Sequence, residues 1–230
     1  MFLFLRLLLA HFIGDFPFQA DQIYREKMHG MPGQILHGLI IGVLCAIFSW
    51  PFLSHPAAWG LILIFIVSHI FIDWLKIKID KKKIPVFWAF LMDQLLHISV
   101  LSLVFLFDFS RDIPNIQHPL FSLYNSNKLV VLVTTYIIVT FAGTYLLDTF
   151  KKNYFSRFME TAGSKSINYG LVERGLIMAV FCLFPIWFYP LVLILLFADI
   201  ITRRKKGAFD FLLNLIYAGS GGLIIKAVFA

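Results

Sequence analysis

Charge is scarce in this chain, and cysteine is scarcer. Only 14% of its 230 residues are Asp, Glu, Lys or Arg, against about a quarter in a soluble domain. With 60% hydrophobic residues and a mean hydropathy of +0.83, that excludes a solvated globular surface and makes the chain an integral membrane protein. The two cysteines, Cys45 and Cys182, both fall inside apolar runs, which excludes a disulfide framework and a zinc site built on paired cysteines. There is no His-Glu-x-x-His, no Gly-x-Ser-x-Gly and no glycine-rich phosphate loop, so the motif-defined zinc protease, serine hydrolase and nucleotide-binding chemistries are missing. The first apolar run lacks a basic start and a small-residue cleavage site, so it does not read as a cleaved leader.

What is present is a series of apolar segments. They run at about 2–18, 35–53, 57–77, 86–107, 129–150, 171–188, 190–201 and 208–229, most of them near the ~20 residues that cross a bilayer as a helix. The expected fold is an all-α polytopic membrane bundle of seven to eight spans. Pro185 and Pro190 either divide one run into two spans or kink it. Cations choose the topology: Arg25 and Lys27, Lys78 and Lys81–Lys83, Lys151, Lys152, Arg157 and Lys165, and Arg203–Lys206 follow alternate segments. The positive-inside rule places these groups in the cytoplasm, which requires eight crossings with both termini outside. The net charge of +7 is thus a topology signal and does not point to nucleic acid. The chain then divides into a four-span region over 1–108, an outer loop over 109–128, and a C-terminal four-span bundle over 129–230.

Within the N-terminal four-span region a single polar pattern occurs twice. His11-x3-Asp15-Phe16 precedes Gln34-x2-His37, and His69-x3-Asp73-Trp74 precedes Gln94-x2-His97. The two copies are expected to form two helix hairpins running parallel. Residues four apart share a helix face, which pairs His11 with Asp15, His69 with Asp73, and Asp93 with His97. At 1.5 Å per residue these groups lie roughly 5–18 Å below the cytoplasmic surface. Singly, a His or Asp in a membrane bundle makes an interhelical hydrogen bond. As a duplicated set in one layer they point to a site, because ionisable groups are costly in a membrane and imidazole with carboxylate is a favoured ligand set for divalent metals.

His11, Asp15, His69, Asp73, Asp93 and His97 are the expected metal ligands, for zinc, manganese or iron. His37 is expected as a further ligand or a general base. Gln34 and Gln94 orient a ligand or a water, and Lys76, one turn beyond Asp73, either holds substrate charge or reaches to the membrane surface. Asp148, Glu173, Arg174, Asp199, Asp210 and Asn214 fall near the inner ends of later segments, where Glu173 and Arg174 read as an ion pair fixing one helix to another. His29, His55 and His118 lie in expected loops and receive no role.

The string His11-x2-Gly14-Asp15-Phe16-x2-Gln19, His37, His69-x3-Asp73-x2-Lys76, Asp93-Gln94-x2-His97 resembles the bacterial membrane-protein family catalogued as domain of unknown function 3307. The likeness is best over the first ~110 residues and extends to Gly170–Arg174 and Gly219–Gly222. It implies a multi-pass protein of the bacterial cytoplasmic membrane and brings no activity with it. In site type alone the inner His/Asp layer is similar to membrane-bound metal-dependent hydrolases. The expected function is therefore hydrolysis of a lipid-linked or isoprenoid phosphate or ester at the inner leaflet. A proton- or ion-coupled transporter and a non-catalytic scaffold are the alternatives, the first because intramembrane His and Asp also carry protons.

Overall fold

Helices carry the chain in the computed structural model, which describes residues 1–19, 21–80, 84–111, 119–155, 164–190, 194 and 205–229. Among the described residues they are α1 (Phe2–Asp15), α2 (Asp21–His29), α3 (Met31–Phe48), α4 (Pro56–Asp80), α5 (Val86–Leu101), α6 (Pro119–Asn125), α7 (Asn127–Ile137), α8 (Gly143–Tyr154), α9 (Ser164–Leu183) and α10 (Lys205–Phe229). The described residues include no strand. Five helical stretches among them are long and apolar enough to cross a membrane: Met31–Phe48, Pro56–Lys78, Val86–Leu106, Asn127–Tyr154 and Phe209–Phe229. This is an all-α membrane protein. The chain divides into two compact units, Met1–Thr134 and Thr135–Ala230.

The spanning helices of the first unit turn apolar side chains outward and polar ones inward. On α3, Leu36, Leu39, Val43 and Ile47 are exposed, while Gln34, His37, Gly38 and Gly42 are buried. On α4, Leu63, Val67 and Phe71 are exposed, while His69 and Asp73 are buried. Hydrocarbon solvates the first set without cost, and the second must be satisfied inside the protein. Helix α1 differs. Eleven of its 14 residues are buried, and at ~1.5 Å per residue it reaches only about 21 Å, so it is a central helix walled off by the others. Its early residues Phe2, Leu3, Leu7 and Ala10 pack with Ile41, Cys45, Leu61, Phe65 and Val104 into an apolar core. Its last turn enters the polar layer.

Two close approaches set the geometry of that layer. A Cβ on Gly38 would stand 2.5 Å from Ile70 Cγ1, and one on Gly42 would stand 2.4 Å from Ile66 Cδ1. This small-x3-small stripe lets α3 and α4 meet closely. At the start of α3, a Cβ on Gly33 would lie 2.1 Å from the Glu26 carbonyl. Gly30, with φ of 155°, makes the preceding turn, so the short helix α2 folds back against α3. The sequence predicts a plain connection there.

The expected loop over 109–128 is in part helical, with a 3₁₀ turn at Asp108–Arg111 and helix α6. Buried Arg6 of α1, which also donates to Phe2 O of its own helix at 3.0 Å, ties it down by donating to Asn127 Oδ1 and to Tyr124 O. The Tyr124 hydroxyl donates to Phe48 O at 2.8 Å. Burial pushes it up to about 12 against the opposing pull of Arg6, which keeps it a donor.

In the second unit a π turn at Ile138–Ala142 joins α7 to α8. Such a turn misdirects carbonyls that a straight helix would use. Arg174 answers them, donating from Nε to Val139 O at 3.0 Å and from Nη2 to Thr140 O at 2.9 Å. It also donates to Thr144 Oγ1, and to Asn214 Oδ1 at 2.9 Å. Glu173 is joined to Arg174 through Asn214, whose Nδ2 donates to Glu173 Oε2 at 2.8 Å. Helix α9 ends at Leu183, ahead of Pro185, which removes the donor a continuing helix would need. The apolar run is broken there. The second span expected at 190–201 lies largely outside the described residues, as do His118 and Asp199.

Candidate metal centre

Four helices of the first unit deliver the polar layer, each in the register the i, i+4 spacing requires. The last turn of α1 brings His11 and Asp15, the first half of α3 brings Gln34 and His37, the middle of α4 brings His69, Asp73 and Lys76, and α5 brings Asp93, Gln94 and His97. Every residue singled out as a ligand or catalytic group thus converges on one place. His11, Asp15, His37, His69, Asp73, Asp93 and His97 are all buried, none more than 7% exposed.

The two sequence copies interlock. Asp15 Oδ1 stands 3.1 Å from His37 Nε2 of its own copy and 3.3 Å from His69 Nε2 of the other. Asp73 Oδ2 stands 3.3 Å from His69 Nε2 and 3.9 Å from His37 Nε2 of the other copy. Asp93 Oδ1 lies 3.4 Å from His97 Nε2, and His11 Nε2 lies 3.7 Å from Asp15 Oδ2. The imidazoles crowd together, with ring centroids 4.1 Å apart for His69 and His97 and 5.0 Å apart for His11 and His97.

These separations suit a shared cation. Ligands held at about 2.0–2.2 Å by one tetrahedral zinc stand roughly 3.3–3.6 Å from one another. Hydrogen bonding does not absorb the donors. His11, His69 and His97 each leave a buried Nε2 without a hydrogen-bond partner, as do both oxygens of Asp73 and Asp93 Oδ1. Buried polar atoms are almost always satisfied, so the five of these that lack a nearby ammonium, Asp73 Oδ1 being set aside because Lys27 Nζ stands 2.7 Å from it, fit a missing positive partner. Three trios have their ligand atoms mutually within 4.8 Å: His11 with His69 and His97, Asp15 with His37 and His69, and Asp73 with Asp93 and His97. A cavity of about 10 Å³ adjoins His11, His69 and His97, room for about one water.

Two ammoniums border the cluster. Lys76 Nζ donates to Asp93 Oδ2 at 2.9 Å, so it turns inward to a carboxylate rather than out to the surface. Gln94 Nε2 donates to Asp93 Oδ2 at 3.1 Å and to Asp15 Oδ2 at 3.4 Å, joining a carboxylate of α5 to one of α1. Gln34 is buried with Oε1 unpartnered. The second ammonium is one that sequence reasoning assigns only to topology. Lys27 of α2 is buried, with Nζ 2.7 Å from Asp73 Oδ1. The one sequence cue to its inward path is the Gly30-Met31-Pro32-Gly33 turn that follows it. His29 lies on α2 with Nδ1 2.6 Å from Arg25 O, and His55 stacks on Phe109. Neither joins the cluster.

The fold and site define a helical membrane protein with a buried His/Asp/Lys layer in its N-terminal unit. The chain belongs to the family described as Protein of unknown function (DUF3307), which matches residues 3–125 and so contains the whole layer. No curated protein and no solved structure matches it.

Proposed function

We propose that the layer is a divalent-metal centre and that the protein is a metal-dependent hydrolase of a lipid-linked or isoprenoid phosphate. The observation that carries this reading is the set of unpartnered buried Nε2 and carboxylate atoms contributed by α1, α4 and α5. His11, Asp15, His69, Asp73, Asp93 and His97 hold the metal, and His37 joins them as ligand or base. A bound divalent cation supplies a water of lowered pKa and polarises the phosphoryl oxygen. The chain's own groups do the rest. Lys27 and Lys76 neutralise phosphate oxygens, Gln94 holds the Asp15 and Asp93 carboxylates in register, and the apolar core beside α1 keeps bulk water out. In the net reaction the water oxygen bonds to phosphorus and the ester P–O bond breaks. One water proton passes to the leaving alkoxide, giving an alcohol and inorganic phosphate.

The substrate is lipidic because the helices that carry the site expose Leu36, Leu39, Val43, Leu63 and Val67, a surface that hydrocarbon solvates. The basic residues after α1, Arg25 and Lys27, and those at the end of α4 and just beyond it, Lys78 and Lys81–Lys83, support a site facing the cytoplasm, in a bacterial inner membrane with seven to eight crossings. Purified protein supplied with zinc or manganese is expected to release phosphate from an isoprenoid or phosphatidyl monophosphate in micelles, and Asp73→Asn is expected to abolish release while still folding. Equal release by wild type and Asp73→Asn would refute the reading. A second reading, proton- or ion-coupled transport, is favoured by one observation: Lys27 and Lys76 already compensate two carboxylates. Proton flux in proteoliposomes, lost in Asp15→Asn, would select it.

A further inference from the structure

Seven donors exceed what one tetrahedral ion takes. Six of them fall into two sets that share no residue: Asp15, His37 and His69 from α1, α3 and α4, and Asp73, Asp93 and His97 from α4 and α5. His69 and His97, one in each set, also form a trio with His11 whose ligand atoms lie mutually within 4.8 Å. Two ions held by these sets are therefore immediate neighbours, as in two-metal hydrolytic sites, where the ions stand about 3.5–4 Å apart.

Asp73 lies between the sets. Its Oδ2 is 3.3 Å from His69 Nε2 and 3.9 Å from His37 Nε2, while its Oδ1 is 3.9 Å from His97 Nε2. Its Oδ2 receives no hydrogen bond, and its Oδ1 has the Lys27 ammonium at 2.7 Å. We infer that the cluster binds two divalent cations, one on Asp15, His37 and His69 and one on Asp93 and His97, with the Asp73 carboxylate bridging them and His11 completing the shared face. This rests on the metal-centre reading above and adds the number of ions and the class of ester.

Charge sets that class. With neutral imidazoles, the three carboxylates and the Lys27 and Lys76 ammoniums leave one net negative charge. Two divalent cations turn this into three positive charges. A hydroxide and a phosphomonoester dianion together cancel three, whereas a phosphodiester monoanion leaves one uncompensated in a buried site, which is costly. The two-ion centre thus fits a phosphomonoester better than a diester or a carboxylic ester.

Manganese titration of detergent-purified full-length protein, read by electron paramagnetic resonance, tests this independently of turnover. Wild type is expected to take up two equivalents with a spin-coupled spectrum. The Asp93→Asn/His97→Ala variant is expected to take up one, uncoupled, and His37→Ala to weaken the other site selectively. Asp73→Asn is expected to lose the coupling. Since a site variant can fail to fold, thermal unfolding accompanies each titration. One uncoupled equivalent in wild type would overturn the two-ion centre whatever the activity, and no uptake would overturn both this inference and the metal-centre reading. Two coupled equivalents without phosphate release from any monoester would leave the two-ion centre standing and overturn the hydrolase and the ester class.

Discussion

Lys27 Nζ lies 2.7 Å from Asp73 Oδ1, and both residues are buried. They are 46 residues apart in the chain and meet because α2 folds back over the start of α3. The lysine stands beside a carboxylate proposed to bridge two metal ions, so it acts as a resident cation that a metal must share or displace.

Replacing Lys27 by Met therefore costs more stability without metal than with it. Without metal it strands a buried carboxylate, at a cost of about 3–5 kcal/mol. With metal the added cation restores the balance, so the loss of Tm relative to wild type shrinks. Thermal unfolding with and without saturating zinc checks this. Equal losses in both conditions would show that Lys27 and the metal do not compete.

Gly33 gives a second test of the same strap. Gly33→Ala places a Cβ on the Glu26 carbonyl, 2.1 Å away in the present geometry, and backbone cannot yield as a side-chain tip can. Helix α2 is expected to lift from α3 and carry Lys27 off Asp73. Proteolysis within 21–29 should accelerate while the spanning helices stay intact, and an unchanged cleavage rate would mean that α2 is held by other contacts.

Gly38→Val probes the α3–α4 approach. The added side chain meets Ile70 at 2.5 Å, and overpacking of this kind costs about 1–3 kcal/mol. Because the helix carrying His37 would move against the one carrying His69, metal affinity should fall along with stability. A variant that loses stability but keeps wild-type affinity would separate the helix contact from the site.

Arg174 offers the contrasting case. Arg174→Met removes donors to Val139 O, Thr140 O, Thr144 and Asn214 together, for an expected loss of about 3–5 kcal/mol. Arg174→Lys should rescue little, since a single ammonium cannot reproduce the planar fork. Metal stoichiometry of the first unit should be unchanged in whatever folded protein is recovered. Full recovery by lysine would show that charge alone matters there.

Much of this was legible in the sequence. Long apolar runs mark α3, α4, α5 and α10, because hydrocarbon demands length and apolarity whatever the tertiary contacts. The His/Asp layer was legible because i, i+4 spacing fixes a helix face and the pattern occurs twice. Lys27 was not legible, because a single lysine after an apolar segment is the ordinary topology signal and only the fold of α2 turns it inward. The same holds for Arg6. Its partners Tyr124 and Asn127 lie more than a hundred residues away in a stretch that reads as loop. The π turn at Ile138–Ala142 is likewise invisible along α7, since the side chain answering its carbonyls comes from α9. At Pro185 the sequence leaves a division or a kink open, and helix α9 ends just before it, at Leu183.

Binding of divalent metal by the His/Asp layer is read out by the metal content of protein purified in detergent without chelators. Elemental mass spectrometry of wild type beside a monodisperse His69→Ala/Asp73→Asn variant is expected to find stoichiometric zinc, manganese or iron in the first and little in the second. Absence of metal from wild type, even after reconstitution, or equal content in both proteins, would contradict a metal centre in this layer.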